Sequence, residues 1–279
     1  MNDTFVKILD EVNALQREIP RSGEVPWFRG HGSASWRLKS SLHRFIEDVF
    51  ARAGKALPPS DMREALRSEF QTLYHTFKHD AWPLLKPDER GEWSIIFQMQ
   101  HNGIPTLLLD WSESFVCALF FAFQSWQPPD NAAIFVLDPG ALNLQTAGTN
   151  SQVTLDDSMA ENVRIKTNQW HPLFVAPEHD RPTLAVTPVR SSRRMLAQRS
   201  TFTLSGDSFD SLDSQYGSII RKIVLPATIY DDVESFLELV NIGIYGYFPD
   251  LEGLQQQYRA RYQWHMREAE RFKRSQNAG

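Results

Sequence analysis

Residues 100–123 read QHNGIPTLLLDWSESFVCALFFAF, and this segment constrains the architecture more than any other part of the chain. Gly103 and Pro105 predict a turn, and the short apolar run TLLLDW that follows is typical of a buried strand. Ser112 then occupies a position typical of a helix N-cap, and the helix predicted over 113–123 is apolar on every side. Because a helix without a polar face must be buried, we expect it to pack centrally against a sheet.

Outside this segment, helical and strand-like patterns alternate without the regular spacing of βαβ units. Short apolar runs predict strands at 26–29, 106–110, 132–138, 200–205 and 219–225. Apolar periodicity predicts helices at 4–18, 40–50, 60–78, 92–99 and 231–240, and a final helix that runs to about 274. We therefore expect an α+β fold with a small mixed sheet, in one domain over 23–279 that follows an N-terminal helix and linker, 1–22. Residues 140–170 are polar and weakly periodic, which predicts a long loop or an insertion.

Composition excludes several classes of protein. The chain of 279 residues has a formal net charge of −5, which argues against a globally basic nucleic-acid-binding protein. The single cysteine, Cys117, lies in the apolar helix, and the chain has no HExxH pattern, so we expect neither disulfides nor a metal site. The longest apolar run is too short to span a membrane, and the N-terminus lacks a signal-peptide pattern. We expect a cytoplasmic protein with no membrane partner.

The pentapeptide WFRGH, residues 27–31, contains the first candidate site residue. Arg29 could hold a phosphate through two parallel hydrogen bonds, and Gly30 would let a ligand approach the backbone beside His31. Equally, Arg29 could be a buried partner of Asp110. The two interpretations are compatible, because a paired arginine can still face a ligand.

A second candidate group consists of Gln100, His101, Asp110 and Trp111, which could face a polar cleft. Trp111 is a candidate surface for stacking an aromatic base. A tryptophan in such a run is more often part of the core, however, and an aspartate before a helix is often a cap. The structural interpretation is therefore favoured for both Asp110 and Trp111, while His101 is undecided.

Two further groups lie nearer the C-terminus. The basic run 190–199 either contacts phosphates through Arg194 or forms a solvated loop, and we favour Gln198 as its site residue. Nucleic-acid binding through this run is a further alternative, disfavoured by the net charge. Asp250 and Glu252 precede the final helix, where acids also suit a helix N-terminus. Glu252 is the better catalytic candidate because of its longer reach, and Asp250 the better cap.

Four blocks of the chain, in order over 27–254, resemble the FRG domain family. They are WFRGH, QHNGIPTLLLDWSESFVCALFFA, RRMLAQRSTFTLS and NIGIYGYFPDLEGL. Leu107 stands where this family frequently has arginine, and Ser112 where threonine is frequent. More remotely, the order of features is similar to ADP-ribosyltransferases. That resemblance implies a related core and NAD as the substrate, in a bacterial enzyme that could be a toxin or a phage-defence effector.

Under this resemblance Arg29 would bind NAD, Trp111 would stack on a ring, Gln198 would position the substrate and Glu252 would be catalytic. The carboxylate would stabilise the positive charge that builds on the ribose carbon as the glycosidic bond breaks. The acceptor could be a protein or a nucleic acid. The alternative is a non-catalytic module that binds a nucleotide or a phosphorylated partner in the same cleft.

Overall fold

The computed structural model describes residues 2–19, 25–54, 58–155, 173, 181–190 and 192–276. These residues form an α+β fold around a seven-stranded mixed sheet. Its strands are β1 (Trp27–His31), β2 (Leu108–Ser112), β3 (Ala132–Leu137), β4 (Val153–Leu155), β5 (Leu184–Pro188), β6 (Ser200–Leu204) and β7 (Ile220–Leu225). The strand order is β4-β5-β6-β2-β1-β3-β7. Only β4 and β5 pair in parallel among these described strands.

Eleven α-helices surround the sheet in the described ranges. They are α1 (Asp3–Glu18), α2 (Ser41–Arg52), α3 (Pro59–Ala81), α4 (Glu92–His101), α5 (Phe115–Ser125), α6 (Pro139–Ala147), α7 (Arg193–Ala197), α8 (Leu212–Gln215), α9 (Tyr230–Leu239), α10 (Ile244–Tyr247) and α11 (Leu251–Gln276). Two short 3-10 helices lie at Pro87–Glu89 and Ala227–Ile229. The α+β fold with a mixed sheet is thus confirmed.

The predicted loop over 140–170 is wrong in its first part, which contains α6 and β4. The helix begins with Asp138 as its N-cap, whose side chain accepts a hydrogen bond from the backbone of Ala141 at 3.0 Å. Asn143, a polar residue that lowers the apolar periodicity, is fully buried and bonds both backbone groups of Ala185 in β5. Residues 156–170 lie outside the described residues. The strand β5 was also not predicted.

The apolar helix α5 covers one half of the sheet, as the sequence predicts. It packs with α1 and α9 on inward-facing side chains of β1, β3 and β7, including Phe28, Ile134 and Val136. Its N-cap is Ser114, which accepts from the backbone of Cys117, so the predicted cap at Ser112 is wrong.

The other half of this face is covered by a different set of helices. Side chains of α2, α3 and α4 pack on Leu108 of β2 and on apolar residues of β5 and β6. Leu108, Asp110 and Ser112 alternate onto the same face as Phe28, because Phe28 is the register partner of Ser112. The opposite face carries a third cluster, which includes Trp27, Trp111 and Phe135 and packs on α6 and α8.

The pairing between the two central strands is short. β1 pairs with β3 over five residues, and β2 pairs with β6 over five, but β1 and β2 share the single pair Phe28↔Ser112. Beyond this pair the two strands diverge, and the side chain of Arg29 crosses between them to the backbone of Asp110. The sheet therefore opens at its centre, between the two sets of helices.

Gly30 decides how closely α5 approaches β1. A Cβ atom at this position would lie 1.8 Å from the carbonyl oxygen of Ala118 and 2.7 Å from the backbone nitrogen of Ala122. The space in which we expected a ligand at Gly30 is thus occupied by α5 on that side of the strand. Since backbone atoms cannot move aside as a flexible side chain does, only glycine fits.

We expect Gly30→Ala to destabilise the protein by about 3 kcal/mol, the upper end of the usual cost of overpacking, because α5 must move away from the sheet. Denaturant unfolding measures this free energy. The matched control is Gly246→Ala in α10, where an added Cβ meets no atom within 4 Å. That change should shift stability by less than about 1 kcal/mol. Equal effects of the two substitutions would contradict the close approach of α5 to β1.

Candidate functional site

A cleft of about 770 Å³ opens where β1 and β2 diverge. Its walls come from both strands, from the segment between β1 and α2, from α2, α5 and α7, and from the last turn of α4. Eight of the ten residues proposed from the sequence line it: Arg29, Gly30, His31, Gln100, Asp110, Trp111, Arg194 and Gln198. The fold therefore brings together residues that are up to 169 positions apart, from Arg29 to Gln198.

Arg29 connects the two sides of this cleft. Its Nε donates to Nε2 of His31 at 3.0 Å, and its Nη1 donates to the main-chain oxygen of Asp110 at 2.5 Å. The carboxylate of Asp110 is 3.7 Å away. Burial lowers the pKa of Arg29, while Asp110 raises it. An arginine remains protonated even so, so the cleft contains a fixed positive charge.

His31 is held neutral by its burial and by the same arginine. Burial, first, and then the charge of Arg29 lower the pKa of His31 to about 3. The imidazole also contacts the rings of Phe135 and Trp36 edge-on. Because its Nε2 accepts a hydrogen bond from Arg29, His31 positions the guanidinium and does not carry charge at neutral pH.

Asp110 is the exposed acid of the cleft. Its side chain is 57% exposed and the following helix is capped by Ser114, so the interpretation of Asp110 as a helix cap is wrong, while its predicted pairing with Arg29 is confirmed. Gln100 at the end of α4 donates to its Oδ2 at 2.8 Å, and the amide oxygen of Gln100 accepts from the hydroxyl of Thr106. This chain of hydrogen bonds fixes the amide and aims its NH₂ group at the carboxylate.

Trp111 and Gln198 contribute mainly to the framework of the cleft. Trp111 is 3% exposed, and its indole nitrogen donates to Thr203 at 3.1 Å, which agrees with the interpretation of Trp111 as a core residue. The side-chain amide of Gln198 donates to the main-chain oxygen of Tyr247 at 3.0 Å. Ser112 donates to the main-chain oxygen of Gln198 at 2.6 Å. These bonds tie α7 to β2 and to α10.

Positive charge predominates in the lining. Among the described residues that form it, five are basic and two are acidic: Arg29, Arg37, Lys39, Arg44 and Arg194 against Glu47 and Asp110. Arg37 pairs with Asp213, and Lys39 with Glu47. Neither Arg44 nor Arg194 forms an ion pair with any other described residue. Arg194 instead lies over the ring of Phe248 at 4.4 Å.

The remaining two of the ten proposed residues, His101 and Glu252, and the predicted cap Asp250 lie outside the lining. Asp250 caps α11 by accepting from the backbone of Gly253 at 2.7 Å, which confirms the predicted cap. Glu252 is exposed on the first turn of α11 and accepts from Gln256. His101 is exposed at the end of α4, and burial, followed by the charge of Arg194, lowers its pKa.

Sequence reasoning missed one wall of the cleft. Trp36, Lys39 and Arg44 belong to the segment SWRLKSSLHR, residues 35–44, which is separated from the end of WFRGH by three residues. In this segment cations alternate with an aromatic residue, a pattern that indicates a binding surface, because phosphate sites and base-stacking surfaces use these residue types. Cys117 also lines the cleft, and burial raises the pKa of its thiol to about 12, so it is not a nucleophile at neutral pH.

The described residues contain neither a group of potential metal ligands nor a membrane-spanning helix. No group of three or more His, Cys, Asp or Glu could hold a metal ion. His75 and His79 lie one turn apart on α3 without completing such a group. No described helix combines the length and the apolar character needed to cross a membrane.

The contact between Arg29 and His31 can be tested by titration. We expect Arg29→Met to raise the pKa of His31 above about 3, because a neighbouring positive charge is removed. It should stay below the ordinary value of 6.5, because burial remains the largest cause of the shift. NMR titration of the histidine ring protons measures this. Arg190→Met, which removes an arginine paired with Glu113 outside the cleft, is the control and should leave the pKa unchanged.

Comparison with known proteins gives a family match over part of the chain. No curated protein and no solved structure matches this chain. A family model does match residues 25–131, which are less than half of the chain and include WFRGH and the whole of QHNGIPTLLLDWSESFVCALFFAF. From the start of β1 through α5, the part that builds the centre of the cleft, the protein is therefore similar to the FRG domain.

Proposed function

We propose that the central cleft binds a phosphorylated, nucleotide-type small molecule, with NAD as the first ligand to test. The observation that carries this proposal is the convergence of Arg29, Arg44 and Arg194 on one cleft, the last two without an ion-pair partner among the described residues. A chain with a net charge of −5 concentrates positive charge there. Convergent guanidinium groups suit the oxygens of a phosphate or diphosphate.

The size and the chemistry of the walls support a small molecule. A cleft of about 770 Å³ lies within the range of about 300–1,000 Å³ that is typical of small-molecule sites. Its lining combines charged groups with the apolar surfaces of Phe28, Ala118 and Phe121. Low-dielectric walls strengthen the field of the arginines toward an anion.

Binding can be measured by calorimetry with NAD, ADP and pyrophosphate. We expect Arg44→Met and Arg194→Met each to weaken the binding of these anions by about tenfold or more, because each removes a charge-assisted contact. Arg190→Met is the matched control, since this arginine pairs with Glu113 at 2.6 Å and does not line the cleft. Loss of affinity in the control as large as in the two variants would indicate nonspecific attraction. No binding of any of the three anions would refute the proposal.

A second candidate function, cleavage of NAD at the nicotinamide ribose, is favoured by the exposed carboxylate of Asp110. In such a reaction the C–N bond to nicotinamide breaks, and water or an acceptor hydroxyl or amine adds to the ribose carbon with loss of a proton. A carboxylate beside that carbon stabilises the developing positive charge. Asp110 lies in the cleft with Arg29 and Gln100, Glu47 is engaged by Lys39, and Glu252 is outside the lining. We therefore assign the role first considered for Glu252 to Asp110.

Nicotinamide release from labelled NAD distinguishes these roles. We expect Asp110→Asn to lower turnover by about 100-fold or more without weakening NAD binding, because the substitution removes a negative charge near the phosphates. Glu252→Gln is the matched control and should keep at least half of the activity. Activity that is lost only in Glu252→Gln would return the catalytic role to that residue. If the unmodified protein binds NAD but releases no nicotinamide, the protein is the non-catalytic binding module.

A further inference from the structure

One wall of the cleft exposes an indole ring. Four of the tryptophans whose side chains the structure describes are buried: Trp27, Trp93, Trp111 and Trp126. Two are exposed, Trp36 by 50% and Trp82 by 42%. Of these two, Trp36 lines the cleft and Trp82 does not.

The two exposed tryptophans differ in what covers their rings. The guanidinium of Arg90 lies over the ring of Trp82, 4.6 Å from its centroid. Trp36 contacts His31 in an edge arrangement, with the centroids 5.9 Å apart and an interplanar angle of 63°. No cation of the described residues lies over the Trp36 ring, and half of the residue is exposed. Its exposed aromatic surface adjoins the cavity, which is the arrangement that a stacked ligand ring would complete.

The segment that carries Trp36 is anchored on both sides of this residue. Before it, the backbone of Ala34 donates to the main-chain oxygen of Asn131 at 2.6 Å, and Lys222 donates to the main-chain oxygen of Ala34. After it, Leu38 is 1% exposed and its backbone donates to Asp213 at 3.0 Å. The indole is thus held in place before a ligand arrives, which lowers the entropy lost on binding.

We propose that Trp36 is the stacking surface for the base of a nucleoside phosphate. This inference rests on the proposed function and narrows its ligand class. Trp36 shares the cleft with Arg37, Lys39 and Arg44, so a base on the indole would place its phosphates among the cations. A free phosphate or pyrophosphate would leave the indole uncovered. The ligand favoured by this wall is a nucleoside diphosphate or a molecule that contains one.

The test compares two anions with the same phosphates. Binding of ADP and of inorganic pyrophosphate is measured by calorimetry for the unmodified protein, Trp36→Ala and Trp36→Phe. We expect Trp36→Ala to weaken ADP binding by about 5- to 150-fold, the contribution of one stacked base, and to leave pyrophosphate binding unchanged. Trp36→Phe should recover most of the ADP affinity, since it restores a stacking ring. Trp82→Ala, which removes the other exposed tryptophan, outside the cleft, should change neither affinity.

The outcomes separate this inference from the proposed function. If ADP binds the unmodified protein and Trp36→Ala with equal affinity, Trp36 does not stack on the base. If Arg44→Met still loses ADP binding in that case, the phosphate site of the proposed function remains. Equal weakening of ADP and pyrophosphate binding in Trp36→Ala would also overturn the stacking role, because the effect would then not depend on the base. No binding of either anion to the unmodified protein would overturn both. As a second measurement that depends less on the stability of a variant, ADP but not pyrophosphate should quench tryptophan fluorescence, and Trp36→Phe should abolish that change.

Discussion

The approach of α5 to the backbone of β1 at Gly30 is the constraint on which the rest of the structure depends. Because no side chain separates them, the apolar helix lies directly on the strand and covers its half of the sheet. The helices α2, α3 and α4 cover the other half. The central strands share one residue pair, Phe28↔Ser112, and diverge where the two helix sets separate. The cleft is the space that this division leaves.

Arg29 compensates for the opening that the divergence creates. An uninterrupted sheet would form further backbone hydrogen bonds between β1 and β2. In their place, the guanidinium of Arg29 donates to the main-chain oxygen of Asp110 and to His31. Structural and binding interpretations of Arg29 are therefore compatible, as they were in the sequence. A guanidinium has five donors, and the two named bonds leave others available to a ligand. The neutral state of His31 avoids a second positive charge beside the first.

The electrostatic character of the cleft differs from that of the chain as a whole. The excess of acidic residues is distributed over the outer faces of helices such as α9, which contains Asp231, Asp232, Glu234 and Glu238. The cleft instead gathers cations from four separate segments, and its exposed acid, Asp110, is held by Gln100. A mixed site of this kind suits a ligand with anionic phosphates and a neutral or cationic part, which is the composition of NAD.

The sequence by itself determined the α+β class, the strand TLLLDW, the buried helix after it and eight of the residues that line the cleft, because periodicity and turn chemistry are local properties. Only the tertiary structure decided the rest. Helix α6 was hidden since Asn143 obtains its hydrogen bonds from β5, far along the chain. The exclusion of Glu252 depends on the packing of α11 against α10. The inclusion of Trp36 and Arg44 depends on where residues 35–44 lie beside the central strands. Such long-range contacts leave no periodic pattern in the segments that make them.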